Sequence, residues 1–211
     1  MLSPSHNKVI LVGRSGVGKS SLISRQVNNV FNRFHEASIG AAYNNISFNI
    51  DNGTTIDYGV WDTAGQERYD ALIPLYFRGC RVVVVVFDLS NRESFKKARY
   101  WLKTITENYN DGIDGYILVG SKLDLVDKRQ ITIDEAYILA SKYSCHYYET
   151  SSLTGENINE LFRQIALIIF NSAPRYETVN FINESLHDDI IIKEPTGNKP
   201  WRENIYSYYC C

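Results

Sequence analysis

The sequence predicts an α/β fold in which a mostly parallel sheet carries helices on both faces. Three observations lead there. Val9–Val12, Val82–Phe87 and Tyr116–Val119 are short, continuous apolar runs, the signature of strands buried on both sides. Stretches with helical spacing of apolar residues lie between such runs. One pair of segments alternates apolar and polar residues around a turn signal, as a hairpin does.

In chain order, Val9-Ile10-Leu11-Val12 is the first strand, followed by a glycine-rich turn and a helix from Lys19 to about Asn29. Ile46, Phe48 and Ile50 keep a period of two, as do Ile56, Tyr58 and Val60, with Asp51-Asn52-Gly53 between them. An Asn-Gly turn flanked by alternating segments makes these two strands antiparallel partners. Val82–Phe87 is a buried strand; Ser90-x-x-Glu93 then reads as a capping box, with Phe95, Ala98, Leu102 and Ile105 along one helical face. Tyr116–Gly120 forms another parallel strand, Ile133 to about Tyr143 a helix, and His146–Glu149 a short strand. The last helix runs from Glu156 to Phe170, with Leu161, Phe162, Ile165 and Ile169 facing the core. Six strands and five helices are expected, with functional loops at the carboxyl ends of the strands.

Residues 1–172 are read as one domain and 173–211 as a flexible tail. In the tail the periodicity fails, and three of the five prolines fall there among four basic and six acidic residues. The whole chain has 211 residues, 44% hydrophobic and 22% charged, enough apolar surface for one sizeable core. A net charge of −2 argues against a protein that holds nucleic acid by counterion release. No apolar run approaches the ~20 residues a membrane span needs, and the first residues lack a signal-peptide pattern. An intracellular protein is expected. Cys80 and Cys145 read as small buried thiols, whereas Cys210 and Cys211 are the last two residues and have nothing to staple.

Gly13-Arg14-Ser15-Gly16-Val17-Gly18-Lys19-Ser20 satisfies G-x-x-x-x-G-K-[ST] directly after a strand and at the opening of a helix. Glycines let the backbone wrap a phosphate so that successive N–H groups point inward, at the positive end of the helix dipole. Lys19 adds a point charge, and the Ser20 hydroxyl can ligate Mg²⁺. An ATPase, a small-molecule kinase and a GTPase all fit this motif. Asp62-Thr63-Ala64-Gly65-Gln66-Glu67 ends the third strand. There Asp62 can hold Mg²⁺, Gly65 offers an unobstructed N–H to a γ-phosphate, and Gln66 carries the donor and acceptor needed to position an attacking water.

W-D-T-A-G-Q-E-R-Y at Trp61–Tyr69 resembles the Rab family of small GTPases, and the likeness covers about residues 8–170 and the last two. Ser38-Ile39-Gly40-Ala41-Ala42-Tyr43 resembles the first switch in its endosomal form. Tyr76–Cys80, Asp88-Leu89-Ser90, Thr150-Ser151-Ser152-Leu153 and Thr154–Asn157 resemble further family segments in the same order. The resemblance implies a P-loop NTPase of the small G-domain type, with a six-stranded mixed sheet. It implies that Ser15, Gly16, Val17, Gly18, Lys19, Ser20 and Ser21 hold the phosphates, and that Phe31 stacks edge-wise on guanine. Ser38 would join Ser20 and Asp62 around Mg²⁺. Lys19 and Gln66 would serve catalysis, with hydrolysis slow because a serine, Ser15, stands where glycine favours it.

The family's base-reading loop is N-K-x-D, and this chain has Ser121-Lys122-Leu123-Asp124. A carboxylate at Asp124 can accept two hydrogen bonds from guanine's ring N–H and amino group, which adenine does not offer on that edge. The Lys122 stem can cover the base plane. Asp124, with D-T-A-G-Q-E, points to GTP and away from an ATP-using kinase. Ser121 is a departure: serine is too short to bond a base nitrogen and also tie this loop to the P-loop, so faster nucleotide exchange is expected. A second reading follows from it, a scaffold that holds nucleotide weakly and does not cycle. Ser151, Ser152 and Leu153 complete the base site by resemblance.

Tyr43, Trp61 and Tyr76 occupy the positions of the family's aromatic effector surface. Three core aromatics would suit the same places, but their position flanking both switches points to a partner surface. Cys210-Cys211 resembles a double geranylgeranylation site, two chains being what stable anchoring takes. The resemblance therefore implies a monomeric GTP/GDP switch that is lipid-anchored on the cytosolic face of an endosomal membrane. Its partners would be effectors, an exchange factor, a GTPase-activating protein (GAP), an escort protein and a GDP-dissociation inhibitor (GDI).

Overall fold

The computed structural model describes residues 7–32, 41–50, 53–63 and 76–172. Six strands form one sheet: β1 (Lys8–Val12), β2 (Ala41–Ile50), β3 (Thr54–Thr63), β4 (Cys80–Asp88), β5 (Gly115–Ser121) and β6 (His146–Glu149). Four α-helices are described: α1 (Lys19–Asn28), α2 (Arg92–Asn108), α3 (Ile133–Lys142) and α4 (Ile158–Ser172). A short 3₁₀ turn spans Val126–Lys128. Tyr76 and Phe77 are also helical, and the residues just before them lie outside the described set.

The spatial order is β2-β3-β1-β4-β5-β6. β2 runs antiparallel to β3, and the other neighbours are parallel. The continuous apolar runs take the centre, where both faces are covered: Val82 to Phe87 are fully buried. Side chains alternate across the sheet and divide the core in two. Val9, Leu11, Val84 and Val86 face α1 and α4, through Leu22, Leu161, Phe162 and Ile165. Ile10, Val12, Val83, Val85 and Phe87 face α2 and α3, through Phe95, Leu102, Ile105 and Leu139.

Several local expectations are corrected. β2 and β3 are each ten residues long, well beyond the alternating segments, because pairing continues from Ile50–Thr54 to Ala41–Thr63. That extension carries β2 alongside Trp61 and Asp62. Asp51 and Asn52 lie outside the described residues, while Gly53 takes a positive φ of 74°. Ser90 does not cap α2. Its N–H and hydroxyl both donate to Asp88 Oδ1, and the cap is Asn91, whose side-chain oxygen accepts from the Ser94 N–H. A reciprocal capping box does occur, at Thr132 and Glu135 of α3. α4 begins at Ile158 because Asn157 has a left-handed φ of 56°. Cys80 is buried as expected, but Cys145 is only partly so. No helix among the described residues is long and apolar enough to cross a membrane.

Candidate nucleotide-binding site

The phosphate loop leaves the end of β1, the sheet's central position, and enters α1. Its first glycine is demanded by its surroundings: a Cβ on Gly13 would lie 2.2 Å from the Val86 carbonyl oxygen of β4. Gly16 and Gly18 have φ of 78° and 96°, a region that side chains disfavour, and Gly18 caps α1. Val17 is buried and anchors the loop, whereas Ser15 and Gly16 are exposed at its tip. Ser21 is half-buried in the first turn of α1.

Lys19 is almost wholly buried, and its ammonium donates to the carbonyl oxygens of Gly13 (3.0 Å) and Arg14 (3.4 Å). Burial lowers its pKa to about 8, with the nearby Asp62 acting in the opposite direction. The cation is thus held inside the curl of the loop, where a phosphate's charge would be neutralised. Behind it the Ser20 hydroxyl donates to Asp62 Oδ2 at 2.5 Å, joining the start of α1 to the end of β3. The neighbouring Thr63 hydroxyl donates to the Leu11 carbonyl (2.7 Å) and fixes that strand end against β1.

A hydroxyl and a carboxylate side by side are hard oxygen donors suited to Mg²⁺, which draws its remaining ligands from water and phosphate. No cluster of three or more His, Cys, Asp or Glu ligands occurs among the described residues. Ser20 and Asp62 fit the ion. The third expected ligand, Ser38, lies outside the described residues, as do Gly65 and Gln66.

The second half of the site sits at the ends of β5 and β6. Ser121 is buried at the last position of β5, its hydroxyl 2.6 Å from the Val17 carbonyl oxygen and 2.8 Å from that of Phe87. The expectation of a side chain too short to serve two partners is refined here. The hydroxyl has one hydrogen to share between two carbonyls, and it keeps the tie to the phosphate loop. Lys122 adopts φ 62°, and its ammonium pairs with Asp88 Oδ2 at 2.8 Å. Asp124 Oδ1 accepts from the Ser151 hydroxyl at 2.5 Å. Backbone bonds from Leu123 N–H to Thr150 O (3.0 Å) and from Thr150 N–H to Gly120 O (2.8 Å) hold the two loops together. Ser151 is fully buried, Ser152 half-buried and Leu153 exposed. Phe31 is half-buried after α1.

Two contributors carried no role in the sequence reading. Asp88 holds both Lys122 and Ser90, and its place at a strand end was the available signal. Arg25 of α1 donates to the Thr154 carbonyl (3.1 Å) and packs on Gly155, bracing the loop after β6; with its partner 129 positions away, nothing local marks it.

Tyr43, Trp61 and Tyr76 form one chain of rings. Tyr43 meets Trp61 edge-on with centroids 5.5 Å apart, and Trp61 meets Tyr76 at 6.1 Å. Tyr43 is 50% exposed, whereas Trp61 and Tyr76 pack against the α2–α3 side of the core. Cys210 and Cys211 lie outside the described residues.

Residues 8–171 match the model of the Ras family. The chain is 36% identical over 188 residues to a Ras-related protein Rab5 of Nicotiana tabacum, covering 87% of this chain and 93% of that protein. It is 39% identical over 170 residues to the Ras-related protein RHN1 of Nicotiana plumbaginifolia, covering 79% of this chain and 84% of that one. With the Gly13–Ser20 loop, the Ser20–Asp62 pair and the Ser121–Asp124 segment brought together at the carboxyl ends of strands of a six-stranded sheet, the chain belongs to the Rab group of small GTPases within the Ras family.

Proposed function

We propose that this protein is a GTP/GDP switch that hydrolyses GTP slowly and, in its GTP form, recruits partners to an endosomal membrane. One observation carries the nucleotide assignment: the Ser121 hydroxyl meets the Val17 carbonyl, so the base-reading and phosphate-holding loops form one continuous site. Asp124, oriented by Ser151, accepts the paired N–H groups of guanine, and a base without them leaves those acceptors unpaired. Gly13–Ser20 supplies backbone N–H groups to the phosphates, and Lys19 holds its charge against the β- and γ-phosphates. Mg²⁺, held by Ser20 and Asp62 with Ser38 as the third ligand, would supply neutralising charge. Gln66 orients the water that attacks the γ-phosphorus in line, releasing phosphate and leaving GDP.

Residues 173–211 act as a tether ending in Cys210 and Cys211, the sites of prenylation, handled by an escort protein and a GDI. Tyr43, Trp61 and Tyr76 are the surface that effectors read, with an exchange factor and a GAP setting the cycle. A non-cycling scaffold gains no support from the contacts of Ser121, which retain the tie between the loops.

The test is direct. Nucleotide released from the purified full-length protein is identified by chromatography, and the protein is then loaded with γ-labelled GTP for single-turnover hydrolysis. Guanine nucleotide should co-purify, excess ATP should not displace it, and Gln66→Leu should slow phosphate release by roughly tenfold or more. Absence of bound guanine nucleotide together with no GTP-dependent phosphate release would overturn the reading.

A further inference from the structure

Glycine is a poor strand residue, since it weakens the ladder and leaves backbone uncovered. Gly59 nevertheless sits in the middle of β3, paired with Asn45 of β2 and Lys8 of β1. Its backbone does not ask for glycine, because it is not among the residues with positive φ. What an added side chain would meet, and would have to displace, is the ring of Tyr43. A Cβ on Gly59 would lie 2.5 Å from Cε2, 2.8 Å from Oη and 3.0 Å from Cζ of that ring.

The geometry follows from the register. Tyr43 is directly opposite Trp61, two residues beyond Gly59 on the same face, so an aromatic ring on β2 can reach diagonally over the glycine. The ring covers the bare backbone: Gly59 is buried although Tyr43 itself is half exposed. An aromatic laid over a strand glycine compensates for the missing side chain. It also fixes the ring, which then presents its edge geometry to Trp61 at an interplanar angle of 66°.

We propose that Gly59 is the positioning residue for Tyr43. Its missing side chain is the seat that holds the tyrosine flat on the hairpin and against Trp61, so this part of the surface is preorganised by β2 and β3 alone. The functional meaning rests on the reading of Tyr43, Trp61 and Tyr76 as the partner-facing surface. Any side chain at 59 lifts the tyrosine and opens the edge of Trp61, which makes position 59 a determinant of which partners fit.

The experiment is a double-mutant cycle on the full-length protein labelled with fluorotryptophan, using Gly59→Ala, Tyr43→Ala and the double variant. Urea midpoints and the fluorine resonance of Trp61, assigned with Trp61→Phe, are read for each. With Tyr43 present, Gly59→Ala should lower the midpoint and shift the Trp61 resonance. With Tyr43→Ala, the same change should raise the midpoint, as alanine does over glycine in an open strand, and leave that resonance within its line width. Equal midpoint shifts in the two backgrounds, or a Trp61 resonance indifferent to Gly59→Ala when Tyr43 is present, would overturn the proposal. Since the cycle uses neither hydrolysis nor a partner, its failure leaves the switch reading standing, and failure of the switch reading leaves the cycle intact.

Discussion

The Ser121 hydroxyl lies 2.6 Å from the Val17 carbonyl oxygen, so one short side chain joins the end of β5 to the phosphate loop. The same hydroxyl also faces the Phe87 carbonyl at 2.8 Å, and both partners are backbone groups that do not retreat. A buried bond of this kind costs ~1–3 kcal/mol when a partner is left unsatisfied.

Exchange kinetics should therefore rank three side chains at position 121, the native serine and two replacements. Ser121→Ala severs the tie and should speed GDP release by roughly 5- to 150-fold. Ser121→Asn keeps one amide hydrogen for Val17 and offers another to the base, a single added bond worth ~1 kcal/mol, or about fivefold slower release. Release of mant-GDP measures all three. Equal rates for alanine and serine would show that the Val17 contact does not govern retention.

Gly13 and Gly16 both have positive φ, 150° and 78°, but only Gly13 adds a steric need. Gly13→Ala drives a methyl group into the β4 backbone at 2.2 Å, and neither strand can yield without breaking its pairing. A loss of more than ~2 kcal/mol in stability is expected. Gly16→Ala meets nothing within 4 Å and carries only the strain of φ 78°, about 1 kcal/mol. Urea unfolding of both variants should show the much larger midpoint drop for Gly13→Ala.

The buried Lys19 gives stability a pH dependence of definite sign. Its folded pKa, about 8, is below the unfolded value of 10.5, so between those values the unfolded chain binds more protons. Stability of the nucleotide-free protein should therefore rise with pH through that window, by about 3 kcal/mol at most from this group. Below it the desolvation cost is fully present. Lys19→Met should remove this component, and the difference in unfolding free energy between the two proteins across that range checks it. A constant difference would place the lysine in solvent.

At the far end of the chain, replacing both Cys210 and Cys211 by serine should leave folding and GTP binding unchanged and abolish membrane association in cells. Either single replacement should leave partial association, because one lipid chain anchors marginally. Fractionation of expressing cells reads the outcome. A double variant that still sediments with membranes would exclude these cysteines as the anchor.

What could be read in one dimension was local. The valine run of β4 declares itself because a strand covered on both faces has no polar side to alternate with. The phosphate loop declares itself because eight successive residues contain the curl, the cation and the hydroxyl. Asp62 and Asp124 stand out because each lies in a short motif at or just after a strand, where fold and chemistry coincide.

What the tertiary structure decided was pairing at a distance. Serine in place of asparagine at 121 reads as a loss until Val17, 104 positions away, is seen within reach of its hydroxyl. Ser90 fits a helix cap by spacing, yet Asp88 captures its N–H and hydroxyl, and Asn91 takes the cap. Gly59 reads as a flaw in a strand, and only the register of β2 on β3 shows the Tyr43 ring that occupies its place. Composition and period report which face of an element is apolar; they carry no record of which polar group or ring a folded neighbour will bring to it. That choice is made by geometry, when a group leaving water must find its partner among those the sheet has placed within a few ångströms.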